Sequence, residues 1–418
     1  MVIAYNSILL SGLLGRCLAA GNKKALDLFS RISLAAWRQL HFLGHLVRQF
    51  RFLLLMPLVS VYLSGCASSG QIDLTSMTVD EKLKALSTKH HVCAVAVAVV
   101  KNRKLDSIDS ASGCQPSLNL KSDSVFQAAS LSKPVFAYAV LKLVAQGKLE
   151  LDAPVVKYLP QGYRHQFNPL KVEPSDLVTD PRIQAVTVRM ALNHTSGLPN
   201  WASGALSFDS TPGTKWSYSG EGYVLLQRAV EAVTGEPLDR FMTSQVFKPL
   251  EMDNSSFVRN ERTAQNLLPG TKANGVPRKK MEFQSPIAAF TLATTASDYG
   301  KFLVAVLGNA QVLEQITTSP VTVDSSLNIH WGLGWGLERT QDNLYIWQWG
   351  NNPGYRAFVI ASVRTGDGFV MLTNSENGLE LAEPIAKTIL PDDHKLFRSP
   401  MLGGDIINML CNTLRLCL

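Results

Sequence analysis

Several features that would assign a function directly are missing from this sequence of 418 residues. Charged side chains make up only 17% of it, and no Cys-x-x-Cys pair or spaced histidine cluster offers ligands for a metal. No Gly-x-Ser-x-Gly occurs, which argues against the nucleophile turn of an α/β-hydrolase. No apolar run is long enough to span a bilayer comfortably, and there are no repeats or low-complexity segments. The sequence therefore predicts no metal and no cofactor.

The basic surplus is confined to an N-terminal leader. The formal net charge is +7, but seven basic side chains and a single acidic one fall within residues 1–65. Residues 66–418 are therefore close to neutral and lack the basic field that attracts nucleic acid. With 46% hydrophobic residues, the chain can bury a large core, as one domain or as two subdomains. We expect a globular protein with no nucleic-acid partner.

The end of the leader has the order of an export signal, at about residues 47–65. Arg48 and Arg51 precede an apolar run that ends at the sequence LSGC, residues 63–66. This pattern resembles a bacterial lipoprotein box, which implies cleavage before Cys66 and lipid attachment to its thiol. We therefore expect a translation start near Val47 and an exported protein anchored by lipid to a bacterial membrane, facing the periplasm, with the outer membrane as its location. An uncleaved membrane anchor with an incidental cysteine is the alternative.

Residue patterns divide the rest of the chain into a linker at 66–78, a domain at 79–395 and an apolar tail at 396–418. Strand patterns occur near both ends of the domain, at 92–100, at 104–112 and in four runs between 332 and 374. Between them, residues at about 131–285 have the patterns of helices and loops. This order predicts an α/β (α+β) fold, with one mostly antiparallel sheet made from both chain ends, flanked by helices and carrying an inserted helical subdomain. A cleft between sheet and insertion is the expected place for a site.

Four cysteines remain once Cys17 in the leader and the predicted lipid site are set aside. Cys93 lies in the first strand pattern and Cys114 follows the second. A cross-strand disulfide and two free thiols are both compatible with this placement. Cys411 and Cys417 lie in the apolar tail, and the sequence leaves their pairing and the role of the tail open.

The stretch AASLSKPVFAYAVLKLV, at residues 128–144, places a serine and a lysine at the start of an apolar helix. Because Pro134 lacks a backbone N–H, it belongs in the first turn, and the helix is predicted to begin near Ala129 or Ser130. Ser130 and Lys133 then lie one turn apart on the same face. Burial and the positive helix end both favour a neutral Lys133, which is able to accept the serine proton.

Further motifs follow this helix in the chain. A Tyr-Ser-Gly motif at 218–220 precedes a helix, 88 positions after Ser130, and Gln-Trp-Gly at 348–350 ends a strand pattern. The sequence HTSGLP occupies 194–199, and His194 within it is expected to brace a turn. With these motifs the chain resembles the serine β-lactamase and penicillin-binding-protein superfamily over about residues 79–392, on the side of class C β-lactamases and related esterases and D-amino-acid peptidases. The resemblance implies a β-lactamase/transpeptidase-like fold.

The resemblance also implies acyl transfer and gives each motif a role. Ser130 would be the nucleophile, and Lys133 and Tyr218 would share the general-base work, Tyr218 as a phenolate stabilised by Lys133. The backbone N–H groups of Ser130 and Asn351 would form the oxyanion hole. The side of the site that binds substrate would include Gln348, Trp349, Gly350 and Gly220.

Two motif positions depart from the family pattern and narrow the substrate. Gly220 lacks the side-chain amide that contacts the substrate amide in relatives, and Gln348 replaces a cationic or ionisable residue that helps to bind a substrate carboxylate. Arg356 is a candidate replacement for that charge. We therefore predict an esterase or amidase that acts on a small ester, amide or peptide. A β-lactamase or D-Ala-D-Ala carboxypeptidase, and a catalytically silent lipoprotein that binds cell-wall peptide, are the alternatives, and the oligomeric state is left open.

Overall fold

The structure of the protein is a computed structural model that describes residues 77–170, 175–202 and 204–402. These residues belong to one unit that spans Asp73–Leu418. The leader with Cys66, nearly all of the linker, and the end of the tail with Cys411 and Cys417 lie outside the described residues. Within the described part, no helix combines the length and apolar character that crossing a bilayer requires.

An antiparallel sheet of eight strands joins the two ends of the described chain. Its strands are β1 (Val95–Lys101), β2 (Lys104–Ala111), β7 (Val321–Asp324), β8 (Ile329–Trp331), β9 (Gly336–Arg339), β10 (Leu344–Asn352), β11 (Tyr355–Ser362) and β12 (Gly368–Thr373). Their order across the sheet is β2-β1-β12-β11-β10-β9-β8-β7. The first and last strands of the chain are neighbours, with Val95 opposite Thr373 and Val100 opposite Gly368. The predicted sheet made from both chain ends is confirmed.

Helices cover both faces of the sheet and fill the region between β2 and β7. They are α1 (Val79–Lys89), α2 (Ser132–Ala145), α3 (Val188–Leu192), α4 (Gly220–Thr234), α5 (Leu238–Met242), α6 (Glu261–Asn266), α7 (Ala296–Gly308), α8 (Ala310–Thr317) and α9 (Ala382–Ile389). Two small ribbons accompany them: β3 (Phe126–Gln127) pairs with β6 (Ala293–Thr294), and β4 (Arg164–His165) pairs with β5 (Asp176–Leu177). The inserted region is thus mostly helices and loops, as predicted.

The sheet buries a hydrophobic core on each face because side chains alternate along a strand. In β1, Val95, Val97 and Val99 face a cluster that α1 and α9 cover. Ala98 and Val100 face the larger cluster, which contains α2, α4 and α7. A fully buried valine contributes ~1.5–3 kcal/mol relative to an exposed one, so the valines of this strand hold it firmly between the two layers.

Helix α2 is apolar on every side and lies inside the larger cluster. Residues 135–141 are all buried, as expected for a helix without a polar face. Pro134 is its third residue, where a missing N–H removes no helical hydrogen bond. The 3₁₀ turn Ala129–Leu131 precedes the helix, so the predicted start near Ala129 or Ser130 is this turn rather than the α-helix itself. Burial of α2 fixes the position of the turn that carries Ser130.

Two features at the edges of the domain bear on sequence predictions. A disulfide joins Cys93 to Cys114 across the β1–β2 hairpin, which decides between the two alternatives that the sequence left open. At the other end, the chain packs on past residue 395. Leu396 is fully buried in the cluster under α1 and α9, and Leu402 lies at its margin. The first residues of the predicted tail therefore contribute to the core.

Candidate active site

Ser130 lies in a turn that several hydrogen bonds hold in an unusual conformation. Ala129 has φ +50°, a left-handed value that is unfavourable for a residue with a β-carbon. The Ser132 hydroxyl donates to the carbonyl of Ala129 at 2.6 Å, and the Tyr299 hydroxyl donates to the carbonyl of Leu131 at 3.0 Å. The surrounding structure therefore sustains the local strain and holds Ser130 at the start of α2.

Lys133 contacts Ser130 directly. Its Nζ lies 3.1 Å from Ser130 Oγ and donates to the backbone carbonyl of Ala289 at 2.8 Å. The Lys133 side chain is buried, and burial lowers its pKa from the usual 10.5 to about 7. A large fraction of Lys133 is therefore neutral near pH 7, and a neutral amine is able to accept the hydroxyl proton of Ser130.

Tyr218 comes from the inserted region and reaches the same place. Lys133 Nζ lies 4.7 Å from the centre of the Tyr218 ring, and the phenol oxygen is buried. Burial raises the pKa of Tyr218, and the nearby side chains of Ser130 and Gln348 offset only part of that increase. The phenol is therefore neutral in the resting site. A phenolate at Tyr218 would need the protonated Lys133 beside it, which is the stabilisation that the family resemblance implies.

His194 accepts hydrogen bonds from the residues immediately before and after Tyr218. The backbone N–H of Ser217 donates to the His194 carbonyl at 2.8 Å, and the N–H of Ser219 donates to His194 Nδ1 at 3.1 Å. Between these two bonds, the rings of His194 and Tyr218 lie 4.3 Å apart. Burial and the nearby Lys133 lower the pKa of His194 well below its ordinary value, so the ring is neutral. The turn that His194 braces is thus the segment that carries Tyr218.

The third motif lies on β10 and packs against the Ser130 turn. A β-carbon at Gly350 would come within 2.4 Å of the Ala128 carbonyl oxygen and 3.1 Å of the Ala129 β-carbon. Only glycine allows this strand and this turn to approach so closely. Gly350 therefore sets the distance between Ser130 and the end of β10.

The backbone N–H groups of β10 point alternately toward β11 and away from it. The N–H of Val363 donates to the carbonyl of Leu344, so Leu344 forms a hydrogen-bonded pair with the residue opposite it. The other even-numbered residues of β10 occupy equivalent positions and direct their N–H groups toward β11. Odd-numbered residues such as Asn351 therefore direct their N–H away from β11. Trp349, in the same phase, donates its N–H to Gln348 Oε1 at 3.1 Å. The N–H of Asn351 thus lies on the same side of the strand as the Gln348 amide.

Gln348 is fully buried and offers an amide rather than a charge. Its Oε1 accepts the N–H of Trp349, whereas its Nε2 has no hydrogen-bond partner among the described residues. Arg356 lies opposite Asn351 on β11 and donates to the carbonyls of Asn352 and Tyr355. Arg356 lies on the face of the sheet opposite to that of Gln348, because Asn351 and Gln348 alternate along β10.

The aromatic residues of β10 differ in their access to the site. Trp347 and Trp349 share a face and their rings stack at 5.7 Å. Trp347 is fully buried, whereas Trp349 is partly exposed and its ring lies 5.0 Å from that of Tyr218. Trp349 is therefore the one of the pair that borders the site.

Gly220 is covered by a segment to which sequence reasoning gave no role. A β-carbon at Gly220 would come within 2.7 Å of both the Asn200 carbonyl oxygen and the six-membered ring of Trp201. Asn200, Trp201, Ala289 and Phe290 all border the site without a motif that marks them. They reach it through loops that tertiary packing positions, although the first two directly follow the HTSGLP sequence.

Comparison with known proteins finds several similar chains. A family model described as Beta-lactamase matches residues 79–391. Penicillin-binding protein 4* of Bacillus subtilis (strain 168) is 25% identical over 324 residues, which cover 67% of each chain. Esterase EstB of Burkholderia gladioli is 33% identical over 174 residues, which cover 34% of this chain and 41% of the esterase.

A solved structure supports the fold. The D-alanine carboxypeptidase AmpC of Burkholderia cenocepacia superposes with a TM-score of 0.59 at 19% identity, covering 73% of this chain and 96% of that one. Together with the family model, this likeness confirms the predicted β-lactamase/transpeptidase-like fold.

Proposed function

Because this chain belongs to the beta-lactamase family, we propose that it is a serine hydrolase that forms an acyl-enzyme on Ser130 and acts on esters or amides. One observation carries the proposal: a buried amine with a pKa of about 7 lies 3.1 Å from the Ser130 hydroxyl. An unassisted serine hydroxyl is a weak nucleophile, and a neighbouring base of matched pKa is what activates it.

The described groups give each step a donor or an acceptor. Ser130 Oγ bonds to the substrate carbonyl carbon while its proton passes to Lys133 Nζ. The N–H groups of Ser130 and Asn351 hold the oxyanion, and each such donor commonly contributes about 3 kcal/mol in the transition state. The neutral Tyr218 phenol gives a proton to the departing alcohol or amine and regains one from Lys133. Water then attacks the acyl carbonyl: Tyr218 takes a proton from the water as it passes its own proton to Lys133. The bond from the acyl carbon to Ser130 Oγ breaks, and Lys133 returns the proton to Ser130.

The substrate class follows from two neutral positions in the site. Gln348 presents an amide where a substrate carboxylate would gain most from a cation, and Gly220 presents no side chain at all. Both changes favour esters or amides without a carboxylate next to the scissile bond. The similarity to an esterase, EstB, over part of the chain is consistent with this choice.

A β-lactamase or D-Ala-D-Ala carboxypeptidase is the second candidate, and similarity to a penicillin-binding protein across 67% of the chain favours it. Turnover of nitrocefin and of p-nitrophenyl acetate by the purified protein separates the two. We expect the ester to be hydrolysed with the higher kcat/KM. Comparable kcat/KM values for the two substrates would reverse the ranking.

Labelling with a fluorophosphonate probe tests the acyl-transfer proposal itself. The wild-type protein should be labelled, and Ser130→Ala should not be. Ser110→Ala is a matched control, because Ser110 is exposed on the edge strand β2, and this variant should be labelled like the wild type. If Ser130→Ala is labelled as strongly as the wild type, the nucleophile lies elsewhere and the proposal fails. If the folded wild type is not labelled at all, the proposal fails and a silent binding protein remains.

We also propose that the protein is exported and anchored by lipid at Cys66, facing the periplasm from the outer membrane. The LSGC sequence supports the anchor, and the Cys93–Cys114 disulfide suits an oxidising compartment. Mass spectrometry of the mature protein should find a lipid-modified Cys66 as the first residue, and Cys66→Ser should shift the protein out of the membrane fraction. A mature N-terminus upstream of Cys66 would contradict this assignment.

A further inference from the structure

Trp201 exposes a large apolar ring beside the candidate active site. It remains 42% exposed, although tryptophan gains more than most side chains from burial. Its ring lies directly over Gly220, two residues after Tyr218, and meets the ring of Phe290 edge-on at 5.2 Å. Phe290 follows Ala289, whose carbonyl accepts the hydrogen bond of Lys133. Trp201 therefore connects the segment that carries Tyr218 to the segment that contacts Lys133.

Hydrogen bonds hold the backbone on both sides of Trp201. Asn200 accepts the N–H of Gly220 on Oδ1 at 3.1 Å and the N–H of Glu221 on its carbonyl at 3.2 Å. On the other side, Ala202 donates its N–H to Glu221 Oε1 at 3.0 Å. The residues that flank Trp201 are thus tied to the first turn of α4. The indole is a fixed surface, so covering it costs little ordering of the protein.

The surroundings of the indole favour an uncharged, apolar occupant. The ring fills the space that a side chain at Gly220 would need, so the amide that the family motif places there is replaced by an aromatic surface. Gln348, which is fully buried, offers a neutral amide and adds no charge to the site. An aromatic group that covers the indole gains from both apolar burial and ring packing.

We propose that Trp201 is the binding surface for an aromatic or bulky apolar group of the substrate, so that the preferred substrates are esters or amides with such a group next to the scissile bond. This inference rests on the proposed acyl transfer at Ser130 and adds the substrate class. Small esters without such a group on either side, such as methyl acetate, leave the indole uncovered and are the poorer substrates.

Two series of esters test the proposal, one varying the acyl group and one varying the alcohol. The first compares p-nitrophenyl phenylacetate with p-nitrophenyl acetate, and the second compares benzyl acetate with methyl acetate. The wild type should prefer the aromatic member of at least one series by its kcat/KM. Trp201→Ala should reduce that preference about tenfold, equivalent to ~1.4 kcal/mol. Trp201→Phe, which keeps a ring, should retain most of the preference.

Ile108→Ala is the matched control, because Ile108 is similarly exposed, at 45%, but lies on the edge strand β2. The Ile108→Ala variant should leave the kcat/KM ratios of both ester series unchanged. Labelling of Ser130 by the fluorophosphonate probe reports the fold and the acyl-transfer chemistry in every variant. If Trp201→Ala is labelled normally and its kcat/KM ratios in the two ester series are unchanged, the inference about Trp201 is wrong but the proposed function stands. If the wild type is not labelled, the proposed function itself is wrong. If Trp201→Ala does not fold, an undiminished preference in Trp201→Leu would overturn the inference in its place.

Discussion

Lys133 is a buried amine whose protonation state is coupled to its two oxygen neighbours. In the neutral form it is able to donate to the Ala289 carbonyl and to accept from the Ser130 hydroxyl at the same time. The protonated form is donor-only, and burial disfavours its charge and so lowers the pKa. The low pKa of Lys133 is therefore a property of its position inside the larger core cluster.

The pH dependence of catalysis should report this pKa. Because the neutral amine is the active form, kcat/KM for an uncharged ester should rise with pH through about 7 and then level off. An unshifted lysine would place the rise near 10.5, and Tyr218 stays neutral throughout because its pKa is raised. Rates measured between about pH 5 and 9 check the prediction.

Lys133→Arg is the control for this assignment, since arginine keeps its proton throughout that range. It should be inactive at every pH tested while remaining folded. A flat pH profile for the wild type would rule out Lys133 as the base, and one that is still rising steeply at pH 9 would contradict its lowered pKa.

His194 gives a second prediction at the scale of a residue. His194→Ala removes the acceptor for the Ser219 N–H and the ring packed on Tyr218, so kcat should fall by about tenfold to a hundredfold with a smaller change in KM. His194→Asn should recover part of the loss, because asparagine provides an acceptor near the Nδ1 position and tolerates the φ of +62° at this residue. Steady-state kinetics of both variants, with thermal unfolding as a check of folding, provide the measurement.

The same variants test whether the histidine titrates in the working range. The rise in kcat/KM near pH 7 should persist in His194→Asn, because His194 is neutral throughout that range. If kcat/KM no longer rises near pH 7 in His194→Asn, the group that titrates there would be His194 and not Lys133. Equal loss of activity in both variants would show that the Ser219 hydrogen bond contributes nothing to the placement of Tyr218.

At the scale of elements, the site depends on how closely β10 approaches the 3₁₀ turn before α2. Gly350→Ala would place a β-carbon 2.4 Å from the Ala128 carbonyl oxygen, and backbone rather than a flexible side chain would have to move. We expect the turn to shift relative to the Asn351 N–H and the labelling rate of Ser130 to fall by about a hundredfold or more. The stability cost should be moderate, ~1–3 kcal/mol, as for other overpacked positions.

Gly308→Ala is the matched glycine control, because a β-carbon at Gly308 meets nothing within 4 Å. It should leave both the labelling rate and the unfolding midpoint close to the wild-type values. A Gly350→Ala protein that is labelled as fast as Gly308→Ala would show that the contact between β10 and the turn does not position the oxyanion donors.

At the scale of the whole molecule, the disulfide ties the edge of the sheet. Cys93 and Cys114 are 21 positions apart, and closing a loop of that length stabilises a domain by about 3 kcal/mol in the chain-entropy account. Replacing both residues by serine should lower the denaturant midpoint accordingly, while Ser130 is labelled as before at ambient temperature. If reducing conditions leave the denaturant midpoint of the wild type unchanged, the prediction is wrong.

Features that depend on neighbouring residues were readable from the sequence. Pro134 marked the helix start, and the spacing of Ser130 and Lys133 placed them within one turn. Alternating β-branched runs predicted the strands that form the centre of the sheet. These features are fixed by short-range geometry, which the order of residues specifies.

Contacts between distant segments were decided only by the tertiary structure. The Ala289 carbonyl on Lys133, the His194 ring on Tyr218 and the Trp201 ring over Gly220 join residues between 19 and 156 positions apart. The sequence determined which chemical groups this protein has for acyl transfer. Packing of the inserted region against the sheet decided the neutral state of Tyr218 and the aromatic surface beside it, because burial and approach distance depend on every element that surrounds a side chain.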